Sequence, residues 1–215
     1  MTVLFSTEEF NKLKTDLVLY RCALNNVKQR VDTLLEDFIN LQQSNPIEHV
    51  KARIKSFESI AEKLHRRGFD VTAESACKNL HDIAGIRCIC SYADDIHLVA
   101  RILRRQADIK ILIEKDYISD PKPSGYRSYH LIIEVPVYLT DRTEYLPVEM
   151  QIRTQAMDFW ATLEHKVRYK YNNIVPPEIA ASLRECADQI IKLDGRMYNI
   201  KEKLDADVLG KNPGI

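Results

Sequence analysis

The sequence predicts an α+β fold: a mixed sheet of four to five strands flanked by helices. Three observations carry that expectation. Residues 7–43 and 177–204 place apolar residues at three- and four-residue steps, the signature of amphipathic helices. Between them, short β-branched runs at 83–90 and 109–113 are separated by a helical stretch at 94–106. Residues 128–137 and 144–153 then read as a β-hairpin around Thr140-Asp141-Arg142-Thr143.

Taken in order, the first helix is marked by Phe10, Leu13, Leu17, Ala23, Val27, Val31, Leu34 and Leu35. Asn45, Pro46 and Glu48 resemble a cap, a first-turn proline and a capping-box acid, so a second helix is expected over 46–67, with Gly68 to end it. A short helix follows at 72–81. The strand 83–90 contains Gly85, which marks a bend or a close backbone approach. A loop is expected over 115–127. After the hairpin, 155–171 is helical, with Met157, Trp160, Ala161, Leu163 and Val167 as packing positions. Pro176-Pro177 opens the last helix, and 210–215 should be a loose tail. The chain divides into an N-terminal helical extension (1–44), a central domain (45–175) and a C-terminal helix and tail (176–215).

Composition excludes several classes. Lys+Arg and Asp+Glu are both 31, so the net charge is zero. It gives no sign of DNA or anionic-membrane binding; RNA binding stays open but is not indicated by net charge. No apolar run approaches the ~20 residues of a membrane span. Five cysteines, an odd number, suggest no disulfide framework and a reduced, cytoplasmic setting. Cys88 and Cys90 read as core residues.

Chemistry concentrates in three places. On a helix over 46–67, Lys55, Ser59, Lys63 and Arg66 share an arc of about 80°. Converging cations suit a polyphosphate. Taken alone, with Glu58 and Glu62 at its edge, the stripe reads as a solvated face. Asp82 leads into the strand that carries Arg87: a carboxylate there suits Mg²⁺, and a guanidinium can stack on a base, although alone the pair is an ordinary capped junction. The strongest signal is 122–153. Lys122, Tyr126, Arg127 and His130 lie on a Pro/Gly-punctuated loop entering the hairpin, and Glu149, Gln151 and Arg153 alternate onto one face of its returning strand. An exposed tyrosine can stack on a purine. Glu149 can bind a metal or take a proton from a hydroxyl. No Walker A or Rossmann glycine pattern occurs, so a nucleotide would be held by side chains from several elements.

These residues carry a family resemblance. Asn45-Pro46-Ile47-Glu48-His49, Arg53 to Ile60, His81 to Arg87, Lys122 to His130, Glu149 to Thr154 and Met157 to His165 resemble, in order, the small alarmone synthetases, the synthetase-only members of the RelA/SpoT superfamily, in wording nearer the RelP branch than the RelQ branch. The resemblance implies a nucleotidyltransferase-like synthetase domain. It implies transfer of the β,γ-pyrophosphate of ATP to the ribose 3′-OH of GDP or GTP, giving ppGpp or pppGpp and AMP, with Mg²⁺. It implies that Arg53 and Arg87 sandwich adenine, and that Lys55, Ser59, Lys63 and Arg66 hold the ATP phosphates. It further implies that Asp82 and Glu149 hold Mg²⁺ and that Glu149 activates the 3′-OH. On the acceptor side, Tyr126 would stack on guanine, Lys122, Arg127 and His130 would face phosphates, and Gln151, Asp158 and Glu164 are further candidates. It also implies a homotetramer built through the terminal helices. Lys115, where RelQ-type members carry arginine, and His49 and Lys51, which differ from their allosteric cleft, are departures. A non-catalytic nucleotide or RNA binder, and a nucleotidyltransferase releasing pyrophosphate, are the alternatives.

Overall fold

The computed structural model describes residues 4–42, 45–172 and 174–211. A five-stranded mixed sheet has the order β1-β2-β5-β4-β3, with β1 Ile47–Ile54, β2 Ala84–Cys90, β3 Lys110–Asp116, β4 Tyr129–Tyr138 and β5 Thr143–Thr154. Only β2 and β5 run parallel; the other neighbours are antiparallel. Among the described residues six α-helices accompany it: α1 Thr7–Asp37, α2 Phe57–Arg66, α3 Ala73–Asn79, α4 Ala93–Arg104, α5 Gln155–Lys170 and α6 Pro177–Lys211. None of the described helices is long and apolar enough to cross a membrane.

Helix α1 closes the back of the sheet. Leu13, Leu17, Tyr20, Leu24, Val27 and Val31 recur at alternating steps of four and three and are all buried. They share one core with Ile86 and Cys88 of β2, Leu131 and Ile133 of β4, and Met150 and Ile152 of β5. Burying each such side chain contributes roughly 1.5–3 kcal/mol, so α1 belongs to the core of the central domain. Its last residues pass into a π-helical turn at Phe38–Gln42, and position 43 of the expected helix lies outside the described residues. A second, small core joins the other two long elements: Trp160 and Ala161 of α5 pack on Ala187 of α6, with Tyr126, Leu183 and Ile190 around them.

Three expectations need correction. The helix over 46–67 is instead strand β1 followed by α2. Asn45 does not cap a helix; its Oδ1 accepts from the Ile47 amide at 3.3 Å and turns the chain into β1. Ile47–Ile54 then pairs with β2 from Cys90 to Ala84. The true cap is Ser56, whose hydroxyl accepts from the Ser59 amide. Ladder pairing outweighs the local capping pattern, and only Ile47 of β1 is buried, so alternation is faint. On α5, Leu163 is exposed and Glu164 is buried in its stead. The last helix also runs past 204 to Lys211, so Gly210 and Lys211 are helical and 212–215 fall outside the described residues.

Candidate active site

The face of the sheet opposite α1 carries the chemistry, and strand register arranges it in rows. One row crosses all five strands: Lys51, Arg87, Gln151, His130 and Lys115 are successive cross-strand partners. The neighbouring row is Arg53, Gly85, Glu149, Ile132 and Ile113. Paired residues present side chains to the same face. Gly85 therefore leaves the space between Arg53 and Glu149 without a side chain.

Three adjoining concavities lie over these rows. Lys51, Arg53, Gly85, Arg87 and Gln151 line the first. Lys63, Arg67, His81, Lys115, Tyr117, Lys122 and His130 line the second. Asp82 and Glu149 line both, so the two carboxylates stand where these basins meet. A larger cleft of about 720 Å³ spans them, adding Lys55, Arg66, Tyr126, Arg153 and Glu164; small-molecule sites usually fall between roughly 300 and 1,000 Å³.

Asp82 is held from one side. Lys55 Nζ and Lys63 Nζ, the latter at 2.5 Å, both bind its Oδ2. Burial pushes the Asp82 carboxyl up, but the two ammonium groups outweigh it and hold the group below its ordinary value. Its Oδ1 is buried with no hydrogen-bond partner. An ionised oxygen left bare in a polar cleft is costly unless a cation or solvent meets it. The oxygen character of Asp82 Oδ1 and Glu149 fits a magnesium ion, which binds proteins through one or two carboxylates and completes its shell with water and phosphate oxygens. No group of three or more His, Cys, Asp or Glu residues placed to hold a metal ion occurs among the described residues.

Glu149 is held by its neighbours. Gln151 Nε2 donates to Oε2 at 3.0 Å, and His130 Nδ1 lies 3.5 Å from Oε1. Burial raises the Glu149 carboxyl, and the His130 contact and the Gln151 amide more than reverse this, leaving it below its ordinary value. The other ring nitrogen of His130, Nε2, is 2.8 Å from the Tyr126 hydroxyl. That hydroxyl accepts from Arg153 Nη2 at 2.6 Å, and burial raises its own pKa, so it is the donor to Nε2. His130 then carries its proton on Nδ1, toward Glu149. Burial lowers the His130 pKa despite Glu149, which agrees with a neutral ring.

The 122–126 turn is built for this. Gly125 adopts φ +90°, and its amide donates to the Lys122 carbonyl at 2.8 Å. The turn docks on α6, where Arg184 Nη1 donates to the Pro123 carbonyl at 3.1 Å. Lys122 Nζ sits 4.6 Å from the Tyr117 ring and 4.8 Å from the Tyr126 ring, while the Arg153 guanidinium lies 5.1 Å from the Tyr126 ring centre. Both positions suit cation–π attraction.

Most candidates named from the sequence thus converge: Arg53, Lys55, Lys63, Arg66, Asp82, Arg87, Lys122, Tyr126, His130, Glu149, Gln151 and Glu164 all line the cleft. Three stand apart from it. Ser59 is exposed beside Ser56, 3.1 Å between hydroxyls. Arg127 points the other way, donating to the Ile118 carbonyl at 3.1 Å. Asp158 is buried beneath, bound to Arg87 and Arg153. Conversely, Arg153, Arg67, Lys115 and Tyr117 line the cleft without having been assigned a place in it. Arg153 was signalled by its alternation with Gln151, and Lys115 by its place where RelQ-type members carry arginine; Arg67 and Tyr117 had no signal.

Two cation-lined basins meeting at a pair of carboxylates define a site for two polyanionic ligands. Comparison with known proteins agrees. Residues 52–174 match the family described as the region found in RelA/SpoT proteins. GTP pyrophosphokinase YwaC of Bacillus subtilis is 47% identical over 192 residues, covering 89% of this chain and 91% of that protein. The crystal structure of small alarmone synthetase 1 from Bacillus subtilis bound to its product pppGpp superposes with a TM-score of 0.83 at 34% identity, covering 89% of this chain and 97% of that one. The same synthetase bound to AMPCPP gives 0.79 at 31% identity, covering 91% and 99%. The chain belongs to the RelA/SpoT family, among its small alarmone synthetases.

Proposed function

We propose that this chain transfers the β,γ-pyrophosphate of ATP to the ribose 3′-OH of GDP or GTP, releasing AMP and forming ppGpp or pppGpp. The observation that carries this reading is the position of Glu149: a carboxylate held ionised where the two basins meet, with Asp82 beside it. Arg53 and Arg87 on adjacent strands flank the first basin, where adenine would lie. Lys55, Lys63 and Arg66 then face the ATP phosphates. Tyr126 would receive guanine, with Lys122 toward the acceptor phosphates and Gln151 and Glu164 along the acceptor path; His130, whose ring nitrogens face Tyr126 and Glu149, would act through them rather than on a phosphate.

In this reading the 3′-OH gives its proton to Glu149 as its oxygen attacks the β-phosphorus. The bond from that phosphorus to the α,β-bridging oxygen breaks, and AMP leaves. Such transfers depend chiefly on alignment and charge neutralisation. Asp82 Oδ1 and Glu149 would hold Mg²⁺, which supplies charge neutralisation on the transferred group when bound. Gln151 and His130 keep the Glu149 oxygens aimed.

The assembly we propose is a cytoplasmic homotetramer joined through the terminal helices. Leu193, Met197, Ile200 and Leu204 form an exposed apolar stripe at helical spacing on α6, which supports such packing. Incubation with ATP, GDP and Mg²⁺ followed by nucleotide chromatography tests the reaction: AMP and ppGpp should appear in equal amounts. Pyrophosphate release, or no turnover with either GDP or GTP, would refute it.

A further inference from the structure

We propose that Asp158 is a positioning residue that ties the two nucleotide subsites together. It sits in the first turn of α5, where the helix N-terminus favours a carboxylate, and is only 8% exposed. It lines none of the three concavities, so it acts through its partners.

Those partners belong to opposite halves of the site. Oδ1 accepts from Arg87 Nη1 at 2.9 Å and from Arg153 Nη1 at 3.2 Å. Arg87 flanks the basin given to adenine. Arg153, 4% exposed, spends Nη2 on the Tyr126 hydroxyl and on Gln151 Oε1, each at 2.6 Å, and its Nε on the Ser128 hydroxyl at 3.2 Å. Tyr126 in turn binds His130. One carboxylate oxygen thus holds the arginine of the donor side and, through Arg153, the tyrosine of the acceptor side. The carboxylate also separates two like charges: Arg87 and Arg153 repel each other in a poorly solvated setting. Lys51 Nζ, at 3.8 Å from Oδ2, is largely exposed and adds little. Without the negative charge the two guanidinium groups part, Arg87 leaves the adenine basin wall, and Tyr126 loses the donor that fixes its ring.

The inference rests on the assignment of Arg87 to ATP and Tyr126 to the guanine nucleotide, and the experiment separates the two. An ATP analogue with a non-transferable β,γ-pyrophosphate and GDP are each titrated alone, with Mg²⁺, into wild-type protein, Asp158→Asn, Arg87→Ala and the double variant. Asp158→Asn should weaken both ligands about tenfold at unchanged stoichiometry, the order expected for losing a charged hydrogen bond. Arg87→Ala should weaken the ATP analogue alone, and adding Asp158→Asn to it should weaken that analogue little further. Weakening of one ligand only, of neither ligand, or a lowered stoichiometry at unchanged affinity would overturn the link. Wild-type affinity of Arg87→Ala for the ATP analogue would overturn the assignment of Arg87 itself. Should Asp158→Asn not fold, Asp158→Glu keeps the charge, displaces it by one methylene, and is read by the same two titrations.

Discussion

Gly125→Ala isolates the contribution of the 122–126 turn, which the proposed function places on the acceptor side. A Cβ at position 125 would lie 2.6 Å from Ala187 Cβ and 3.2 Å from Arg184 Cδ. Non-bonded carbons prefer about 3.5–4.0 Å, so the turn must lift off α6 by roughly 1 Å. The φ of +90° adds a left-handed strain of about 1–2 kcal/mol for alanine. The displacement is transmitted to Tyr126, the next residue, whose hydroxyl is tied to Arg153 and His130. Misplacing a binding group by about 1 Å costs on the order of a hundredfold, so KM for GDP should rise between tenfold and a hundredfold. Lys55, Lys63 and Arg53 are untouched, so affinity for an ATP analogue should hold. Ala187→Gly removes the clashing atom and leaves the φ strain; the double variant should regain about half the loss on a logarithmic scale. Steady-state kinetics varying GDP at saturating ATP measure all three proteins. A wild-type KM in Gly125→Ala would refute the claim that the docked turn shapes the acceptor site.

Three further perturbations follow from the same geometry. Glu149→Gln keeps shape but can neither take the 3′-OH proton nor hold Mg²⁺ as a carboxylate does; kcat should fall ~10²- to 10⁴-fold, and a rate near wild type in rapid-quench assays would remove Glu149 as the base. His130→Asn retains a donor near the Nδ1 position and should keep more kcat than His130→Gln, whose amide reaches toward Tyr126 instead of Glu149; equal losses would mean that the Glu149 contact is idle. The pKa values of His130, Glu149 and Asp82 are all lowered on folding. For each, the unfolded chain binds protons more readily, so the associated stability is present at higher pH and is lost on acidification. The loss should start as pH falls through the ordinary His130 value of 6.5 and steepen below 4.5 and 3.8, the ordinary values for Glu149 and Asp82. Thermal melts from pH 8 to 4 should show the first decline in wild type but not in His130→Asn.

The sequence disclosed the site more fully than the segment that walls it. Glu149, Gln151 and Arg153 were legible because period-two alternation survives wherever one face of a strand is core, and Val148, Met150 and Ile152 are fully buried. β1 was not legible, because it is an edge strand with one buried residue and its Asn-Pro-x-Glu start imitates a helix cap. Lys55 was therefore expected to meet Lys63 along one helix. It reaches the same place by another route: the Lys55 amide donates to the Ile83 carbonyl at 2.8 Å, and that ladder bond sets its ammonium against Asp82, opposite Lys63. Arg127 was misplaced because it was grouped with Tyr126 and His130 on one loop. Neighbouring residues of an extended segment face opposite ways, and Arg127, one position from Tyr126, faces Ile118 rather than the cleft.

The sheet order explains why both halves of the site need this register. Parallel β2 and β5 lie at the centre, with β1 outside one and β4 and β3 outside the other. In the proposed function the donor side would be carried by β1 and β2, and the acceptor side by β4 and the returning strand β5. Glu149 sits on β5 one pleat from Gln151, with Gly85 across the parallel ladder. Moving β5 by one residue against β2 would send Glu149, Gln151 and Arg153 to the core face together and bring Met150 into the cleft. The burial of Val148, Met150 and Ile152 against α1 forbids that slip. The hydrophobic face that α1 covers is therefore what holds Glu149, the proposed base, where the two basins meet, and a core substitution such as Met150→Ala should lower the chemical step as well as costing about 2–5 kcal/mol of stability. Denaturant unfolding and single-turnover rates on one preparation measure both; a full loss of stability with an unchanged rate would show that Glu149 keeps its place without the core behind it.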